Sequence, residues 1–363
     1  MLLERFTISS KLGAADTFCA AASILLIVAL VYLLAVGRSP KTKMSGGESK
    51  SKETGAVDKK CCCASCGIAE LDDDVKLKPC DRCDLVRYCS DACQELHIFE
   101  HAGKCRKRAA ELRDVILFKQ PEGTHQGDCP ICCLPLPFQI DKSANRFESS
   151  RIFSCCSKMI CDGCFHSNRQ REIKERLDPK CPFCRHPMVD EEAEQNRLKR
   201  VEANDPVEFS RLGSKFHRKG DFKTAFKYYS KAAELGDPEG HDSLANMYRN
   251  GEGVKKNKKK EMYHLEEAAI AGHPAARHNL GCREGLNGRI ERAIKHYIIA
   301  ATLGFDESIK TLRQCYQEGY VSKEDFAAAL QAHHAAVNAT KSPQREAAAL
   351  FLQSQGIGLS SQR

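Results

Sequence analysis

Hydrophobic and polar positions give this chain several distinct textures. From Thr17 to Gly37 there is no charged residue, and the run FCAAASILLIVALVYLLAVG is long enough to cross a bilayer as a helix. It predicts a transmembrane helix at 17–37 within an N-terminal segment of 1–43. Residues 44–60 are mostly Gly, Ser, Lys and Glu, too polar to bury a core, and read as a flexible linker. Two charged amphipathic stretches, Arg106 to Lys119 and Asp190 to Glu202, predict helices. Beyond them the apolar pattern becomes periodic. Leu212, Leu244, Leu280 and Leu312 recur at intervals of 32, 36 and 32 residues. Ala232-Ala233, Ala268-Ala269 and Ala300-Ala301 are each followed three residues later by Gly236, Gly272 or Gly304. Leu and Ala at helical spacing pack helix on helix, and Gly ends each hairpin as a C-cap, so a solenoid of helical hairpins is predicted over 203–340. The fourth copy lacks the Gly after Ala335-Ala336, as a terminal cap does, and 341–363 is expected to be a flexible tail.

The middle of the chain has another organising principle. Of 21 cysteines, 18 lie between residues 61 and 184. The first group reads Cys63-x2-Cys66, Cys80-x2-Cys83, Cys89-x3-Cys93 and His101-x3-Cys105, eight soft ligands and enough for two tetrahedral zinc ions. The second runs from Cys129 to Cys184. Thiolate zinc sites persist where thiols stay reduced, which places these modules in the cytosol or nucleus rather than in a secreted disulfide scaffold. With no Trp and few large apolar residues, segments this short need metal to supply much of their folding free energy. Basic residues also set an expected topology. Arg38, Lys41, Lys43, Lys50, Lys52, Lys59 and Lys60 follow the apolar run against Arg5 and Lys11 before it, so an anchored chain would hold its zinc modules on the cytosolic side. Met44 opens a polar stretch that would give a cytoplasmic or nuclear protein if translation began there. The net charge of +8 is dispersed and decides nothing.

The order of ligands from Cys63 to Cys105, with Tyr88 before Cys89 and Gln94 after Cys93, resembles the MYND zinc finger and covers a module of 61–106. The resemblance implies interleaved sites, one from Cys63, Cys66, Cys89 and Cys93, the other from Cys80, Cys83, His101 and Cys105. Ile98 stands where that family usually carries Trp, Cys61 and Cys62 are surplus, and His97 is too far from Cys105 for the H-x3-C turn. In the second group, over 126–188, C129-P-I-C132, C161-D-G-C164 and C181-P-F-C184-R185 resemble a RING finger. That resemblance implies one zinc on Cys129, Cys132, Cys161 and Cys164. A second would rest on Cys181, Cys184 and two residues of the middle segment. Lys158 stands at the usual His position and cannot ligate zinc while protonated. Cys155 and Cys156 are the expected replacement, with Cys133 and His166 as fallbacks. The phrases KAAELGDP, EAAIAGHP and IAATLGFD resemble Sel-1-like repeats, relatives of the tetratricopeptide class.

These resemblances imply a multidomain fold class: an N-terminal transmembrane helix, two small zinc-stabilised cross-braced modules and a C-terminal all-α solenoid, with about four Zn2+ as cofactor. They imply an adaptor that recruits other proteins or short peptides. The alternative is a RING-type ubiquitin ligase, in which Ile131, Pro182 and Arg185 occupy the places that dock a ubiquitin-conjugating enzyme. Such a ligase works by positioning and needs no catalytic residue of its own. No phosphate-cradling loop, nucleophile elbow or H-E-x-x-H motif is present. The run Lys255 to Lys260 has no aromatic residues interleaved to stack bases, so nucleic acid is not an expected partner. His333 and His334 are expected on the surface of an Ala-rich helix.

Overall fold

The computed structural model describes residues 63–66, 76–138 and 150–354, which divide into two compact units on either side of residue 119. The expected transmembrane helix at 17–37, the linker at 44–60 and the surplus Cys61 and Cys62 lie outside the described residues. Among the described residues no helix is long and apolar enough to cross a membrane. Even the longest, with 27 residues, carries charge throughout its length. The fold class is corrected accordingly to cysteine-rich modules and a helical-repeat solenoid without a membrane-spanning helix among the described elements. The expected membrane anchor, facing its modules to the cytosol, has no counterpart among the described helices and is not supported by them.

The first unit pairs β1 (Lys78–Pro79) antiparallel with β2 (Arg87–Tyr88) and continues into α1 (Asp91–Leu117). Ser90 caps α1 by accepting the Cys93 N–H at 3.3 Å. Arg106 to Lys119 was expected to start a helix after the ligands, but the helix begins at Asp91 and carries three of them. Cys93, His101 and Cys105 fall at multiples of four residues, so one helix face presents them all. Arg108 ties that helix to the Cys80–Cys83 turn through a bidentate pair with Asp84, 2.6 and 2.7 Å. The buried core is Cys63, Leu77, Cys80, Cys83, Tyr88 and Cys105, four cysteines in six residues. Apolar burial alone cannot hold so small a unit.

The second unit opens with the remaining cysteine-rich module. β3 (Ser150–Ile152) pairs antiparallel with β4 (Met159–Cys161), which runs into α2 (Asp162–Glu175) with Cys161 as N-cap. Glu172, buried on α2, accepts the Lys180 N–H at 3.0 Å and an Asn168 amide at 2.8 Å, fixing the approach to Cys181. α3 (Asp190–Glu202) then leads to the solenoid. Its Arg200 bridges the Cys156 carbonyl, the Ser157 hydroxyl and the Asp205 carboxylate.

The solenoid comprises α4 (Pro206–Arg218), α5 (Phe222–Glu234), α6 (Pro238–Asn250), α7 (Lys258–Ile270), α8 (Pro274–Leu286), α9 (Ile290–Thr302), α10 (Asp306–Gln317) and α11 (Lys323–Ala339). Asp205, Asp237 and His273 each cap a helix whose first residue is Pro, a start signal shared by three successive repeats. Gly236, Gly272 and Gly304 have φ of 82, 84 and 85°, and the N–H after each returns to the carbonyl of Ala232, Ala268 or Ala300. This is a glycine-dependent stop. Leu244, Leu265, Leu280 and Leu312 are at most 2% exposed, whereas Leu212 at the near end is half-buried. Two expectations are corrected here. Residues 343–354 do not fray but form α12 (Pro343–Ser354), packed on α2. His333 is buried, held between the Ala301 carbonyl and Asp306 at 3.2 and 3.1 Å.

Candidate metal centres

Among the described residues, four groups of four ligand atoms gather, the atoms of each within 4.8 Å of one another. In the first unit Cys63, Cys66, Cys89 and Cys93 form one group, and Cys80, Cys83, His101 and Cys105 the other. In the second unit Cys129, Cys132, Cys161 and Cys164 gather in one place, and Cys155, Cys156, Cys181 and Cys184 in another. In both modules the first pair in sequence joins the third, and the second joins the fourth. Distant segments are thus tied together by side chains alone. Cys133 and His166 are in none of these groups.

Turns aim the sulfurs. The Cys133 N–H bonds the Cys129 carbonyl and the Arg185 N–H bonds the Cys181 carbonyl, at 2.9 and 3.0 Å. The Ser157 N–H likewise bonds the Phe153 carbonyl at 2.8 Å. Cys133, Ser157 and Arg185 have φ of 54, 51 and 62°, the left-handed conformation that ends each turn and lets the cysteine before it point inward. Adjacent Cys155 and Cys156 can therefore serve one centre.

The spacing of donor atoms tests what they can hold. The sulfurs of Cys66 and Cys89, and of Cys89 and Cys93, are 3.6 Å apart. Cys80–Cys105 and Cys132–Cys161 are at 3.8 Å, Cys156–Cys181 at 3.9 Å and Cys155–Cys184 at 3.4 Å. Cys83 Sγ lies 3.1 Å from His101 Nε2. A disulfide needs about 2.05 Å, and no disulfide joins the described cysteines. Four sulfurs bonded at about 2.3 Å to a tetrahedral zinc stand about 3.8 Å apart along each edge. The residues fit zinc.

Electrostatics agree. Thiolates this close repel one another, so the sites resist full ionisation unless a cation shares them. Its neighbours Cys66 and Cys93 push the Cys89 thiol up to about 12, and burial with Cys80 pushes Cys105 up to about 11. Burial and then the Cys181 and Cys184 sulfurs push Cys156 up to about 11, against the Lys158 N–H. Burial alone would raise Cys63 too, but the N–H groups of Cys66, Cys89 and Ser65 hold it down to about 6. The buried Tyr88, its phenol pushed up to about 12 by burial, hydrogen-bonds His97 Nδ1 at 3.1 Å. The His97 ring stacks on His101 at 5.7 Å. His97 thus steadies a ligand without being one, a role its four-residue spacing from His101 could have signalled.

A further grouping, His125, Glu239 and His273, does not suit a metal. His273 Nδ1 accepts the Ala276 N–H at 3.0 Å, so its ring proton sits on Nε2, which faces Glu239 Oε1 at 3.4 Å. A metal at Nε2 would require an imidazolate. The His125 ring lies stacked on His273 at 4.4 Å and 12°, with Nε2 also on Glu239, so the two nitrogens point in parallel and do not converge. Glu239 is the acceptor of a paired-imidazole clamp.

Of the positions proposed to dock a conjugating enzyme, Ile131 is 42% exposed. Arg185 is exposed and bonds Asn168 at 3.0 Å. Pro182 is buried.

Comparison with known proteins separates these modules. The MYND finger family model matches residues 63–105, and the Sel1 repeat model matches 211–237, 238–273 and 274–305. Both leave the second cysteine module outside their bounds, so the RING-like resemblance stands on its cysteine clusters alone. A 56-residue segment is 43% identical to "Putative beta-lactamase HcpC" of Helicobacter pylori, covering 15% of this chain and 19% of that protein. An 84-residue segment is 36% identical to the uncharacterized protein NMB1327 of Neisseria meningitidis, covering 22% of this chain and 18% of that one. The chain thus matches less than a fifth of the length of these curated relatives. A Sel1 repeat protein of Oxalobacter formigenes aligns at 21% identity and a TM-score of 0.37, over 54% of this chain and 87% of its own. A MYND finger implies zinc, and Sel1 repeats generally mediate protein–protein interaction. Their presence in one chain points to an adaptor of protein–protein interaction.

Proposed function

We propose that the protein is a zinc-dependent adaptor holding four zinc ions, two in each cysteine-rich module, on the residue groups given above. The observation that carries this reading is the interleaved pairing of ligands in both modules. Each centre is closed by four protein ligands, leaving no open position for substrate or water. Closed zinc sites shape surfaces and do not perform chemistry. The surfaces available are apolar and exposed: Leu96 and Phe99 on α1 are 77% and 89% exposed, and Tyr263 on the solenoid is 53% exposed. Their partners are proteins, engaged through short segments. Selecting displayed peptides on the zinc-loaded full chain tests this. Binders lost after chelation or in Cys63→Ser support it; no enrichment, or binding indifferent to zinc, overturns it.

The second reading is a RING-type ubiquitin ligase. It is favoured by the cross-brace of Cys129, Cys132, Cys161 and Cys164 with Cys155, Cys156, Cys181 and Cys184, and by the exposure of Ile131 and Arg185. Autoubiquitination by the full chain with a panel of conjugating enzymes, abolished in Ile131→Ala and Arg185→Ala, would establish it. Inactivity with every enzyme would remove it.

A further inference from the structure

Helix α12 lies along α2, and glycine makes the approach possible. A Cβ on Gly163 would stand 2.8 Å from Arg345 Cγ and 3.0 Å from the Arg345 backbone. Contacts accumulate at this crossing. The Gln344 amide donates to Ser167 Oγ at 2.7 Å, and the His166 and Phe351 rings are 4.7 Å apart.

Arg345 reaches past the helices to the turn that presents Cys132. Its Nη1 donates to the Pro135 and Thr340 carbonyls at 2.6 and 2.7 Å. Its Nη2 donates to the Leu134 carbonyl at 3.1 Å and to Cys132 Sγ at 3.4 Å. Nε is buried without a hydrogen-bond partner. Carbonyls can orient a partly desolvated guanidinium but cannot neutralise it; an anion beside it can. Four thiolates on one Zn2+ leave two negative charges over, and a thiolate that accepts a hydrogen bond from a cation shares that charge. The guanidinium is placed where this excess charge would lie.

We infer that Arg345 is the outer-sphere cation of the Cys129, Cys132, Cys161 and Cys164 centre, so that zinc there and docking of α12 stabilise each other. This rests on reading that cluster as a zinc centre. The coupling is reciprocal: whatever Arg345 adds to zinc affinity, zinc adds to closure of the helix. The C-terminal helix thereby reports the state of a centre more than 170 residues away in sequence, from Cys164 to Arg345.

The experiment follows zinc release from the full chain to a chromogenic chelator, together with hydrogen exchange across 343–354. Cys129→Ser identifies the release phase of this centre. If it removes neither zinc nor a phase, the centre does not exist and the inference falls with it. Given the centre, Arg345→Met should speed that phase by on the order of 10- to 100-fold, the usual cost of losing an outer-sphere partner, and leave the other phases unchanged. Arg345→Lys, which keeps the charge but not the fork, should fall between. Gly163→Ala, which displaces Arg345 without removing a ligand or a charge, should speed the same phase and serves should Arg345→Met fail to fold. Chelation should strip protection from 343–354 in the wild type. Wild-type release from Arg345→Met, or from Gly163→Ala if that variant alone folds, would overturn the inference. So would protection of 343–354 that survives loss of zinc.

Discussion

Cys156 Sγ stands 3.9 Å from Cys181 Sγ across 25 residues of chain. Its neighbour Cys155 faces Cys184 from the same turn at 3.4 Å. Successive residues of an extended strand point to opposite faces. The Phe153–Ser157 turn removes that constraint, and Arg200 holds it from the Ser157 hydroxyl and the Cys156 carbonyl.

It follows that Cys155→Ser and Cys156→Ser should each cost the full chain about one zinc ion, since losing a thiolate opens a tetrahedral site. Lys158→Ala should keep the wild-type content, because its side chain is exposed and only its backbone serves the turn. Metal analysis of the three purified variants decides. A silent Cys155→Ser would remove it from the centre.

Metal analysis of the wild type should give about four zinc ions per chain, from four closed ligand sets. Chelation should unfold the 63–119 unit, whose core is mostly cysteine, and loosen the 129–187 module. The helices from Pro206 to Ala339 should persist, because their core is Leu, Ala and Tyr. Circular dichroism that collapsed completely on chelation would contradict this division.

The solenoid was legible because Leu, Ala and Gly recur together at intervals of 32 or 36 residues and each repeat contacts its neighbours, so local pattern and tertiary packing coincide. The eight ligands of the first module were legible from spacing, and their division into two sets came from the MYND resemblance. What escaped were contacts that no local pattern encodes. The segment 343–354 bunches its apolar residues in one run, Ala347 to Leu352, that declares no face, and its partner α2 lies far back in the chain. His333 sits in an Ala-rich helix whose buried side depends on Ala301 and Asp306 in preceding helices. Glu239, on the solenoid, meets His125 from ahead of the second cysteine module.

That clamp carries a pH signature. Burial would raise the Glu239 carboxyl, but His273 and His125 hold it well below the usual carboxylate range. His273, whose Nδ1 accepts the Ala276 N–H, serves Glu239 as a neutral donor from Nε2. Burial and His273 lower His125, which stays neutral. The depressed Glu239 contributes stability above its unfolded value of about 4.3, and that stability is lost as the pH falls through its folded value. Glu239→Gln should therefore cost most above about pH 4.3, and less as the pH falls below it and the native carboxylate takes up its proton. With about a third of the Glu239 side chain open to solvent, the cost should be about 1–2 kcal/mol, below that of a fully buried pair. Urea unfolding of the two proteins from pH 4 to 8 checks the sign; a penalty larger at pH 4 than at pH 7 would reverse the assignment.

The periodic leucines are not equivalent, and substitution should reveal it. Leu280 is fully buried in a central repeat with helices on both sides, whereas Leu212 is half-buried at the end of the array. Leu280→Ala removes transfer free energy and leaves a cavity between packed helices, so it should cost about 2–5 kcal/mol. Leu212→Ala opens toward solvent, which fills the space, and should cost about 1 kcal/mol. A central loss also weakens two interfaces where an end loss weakens one, so Leu280→Ala should broaden the unfolding transition or split it. Urea titration of the zinc-loaded chain, followed by helical circular dichroism, measures both. Equal penalties would mean that the leucine period marks helix spacing without marking the core.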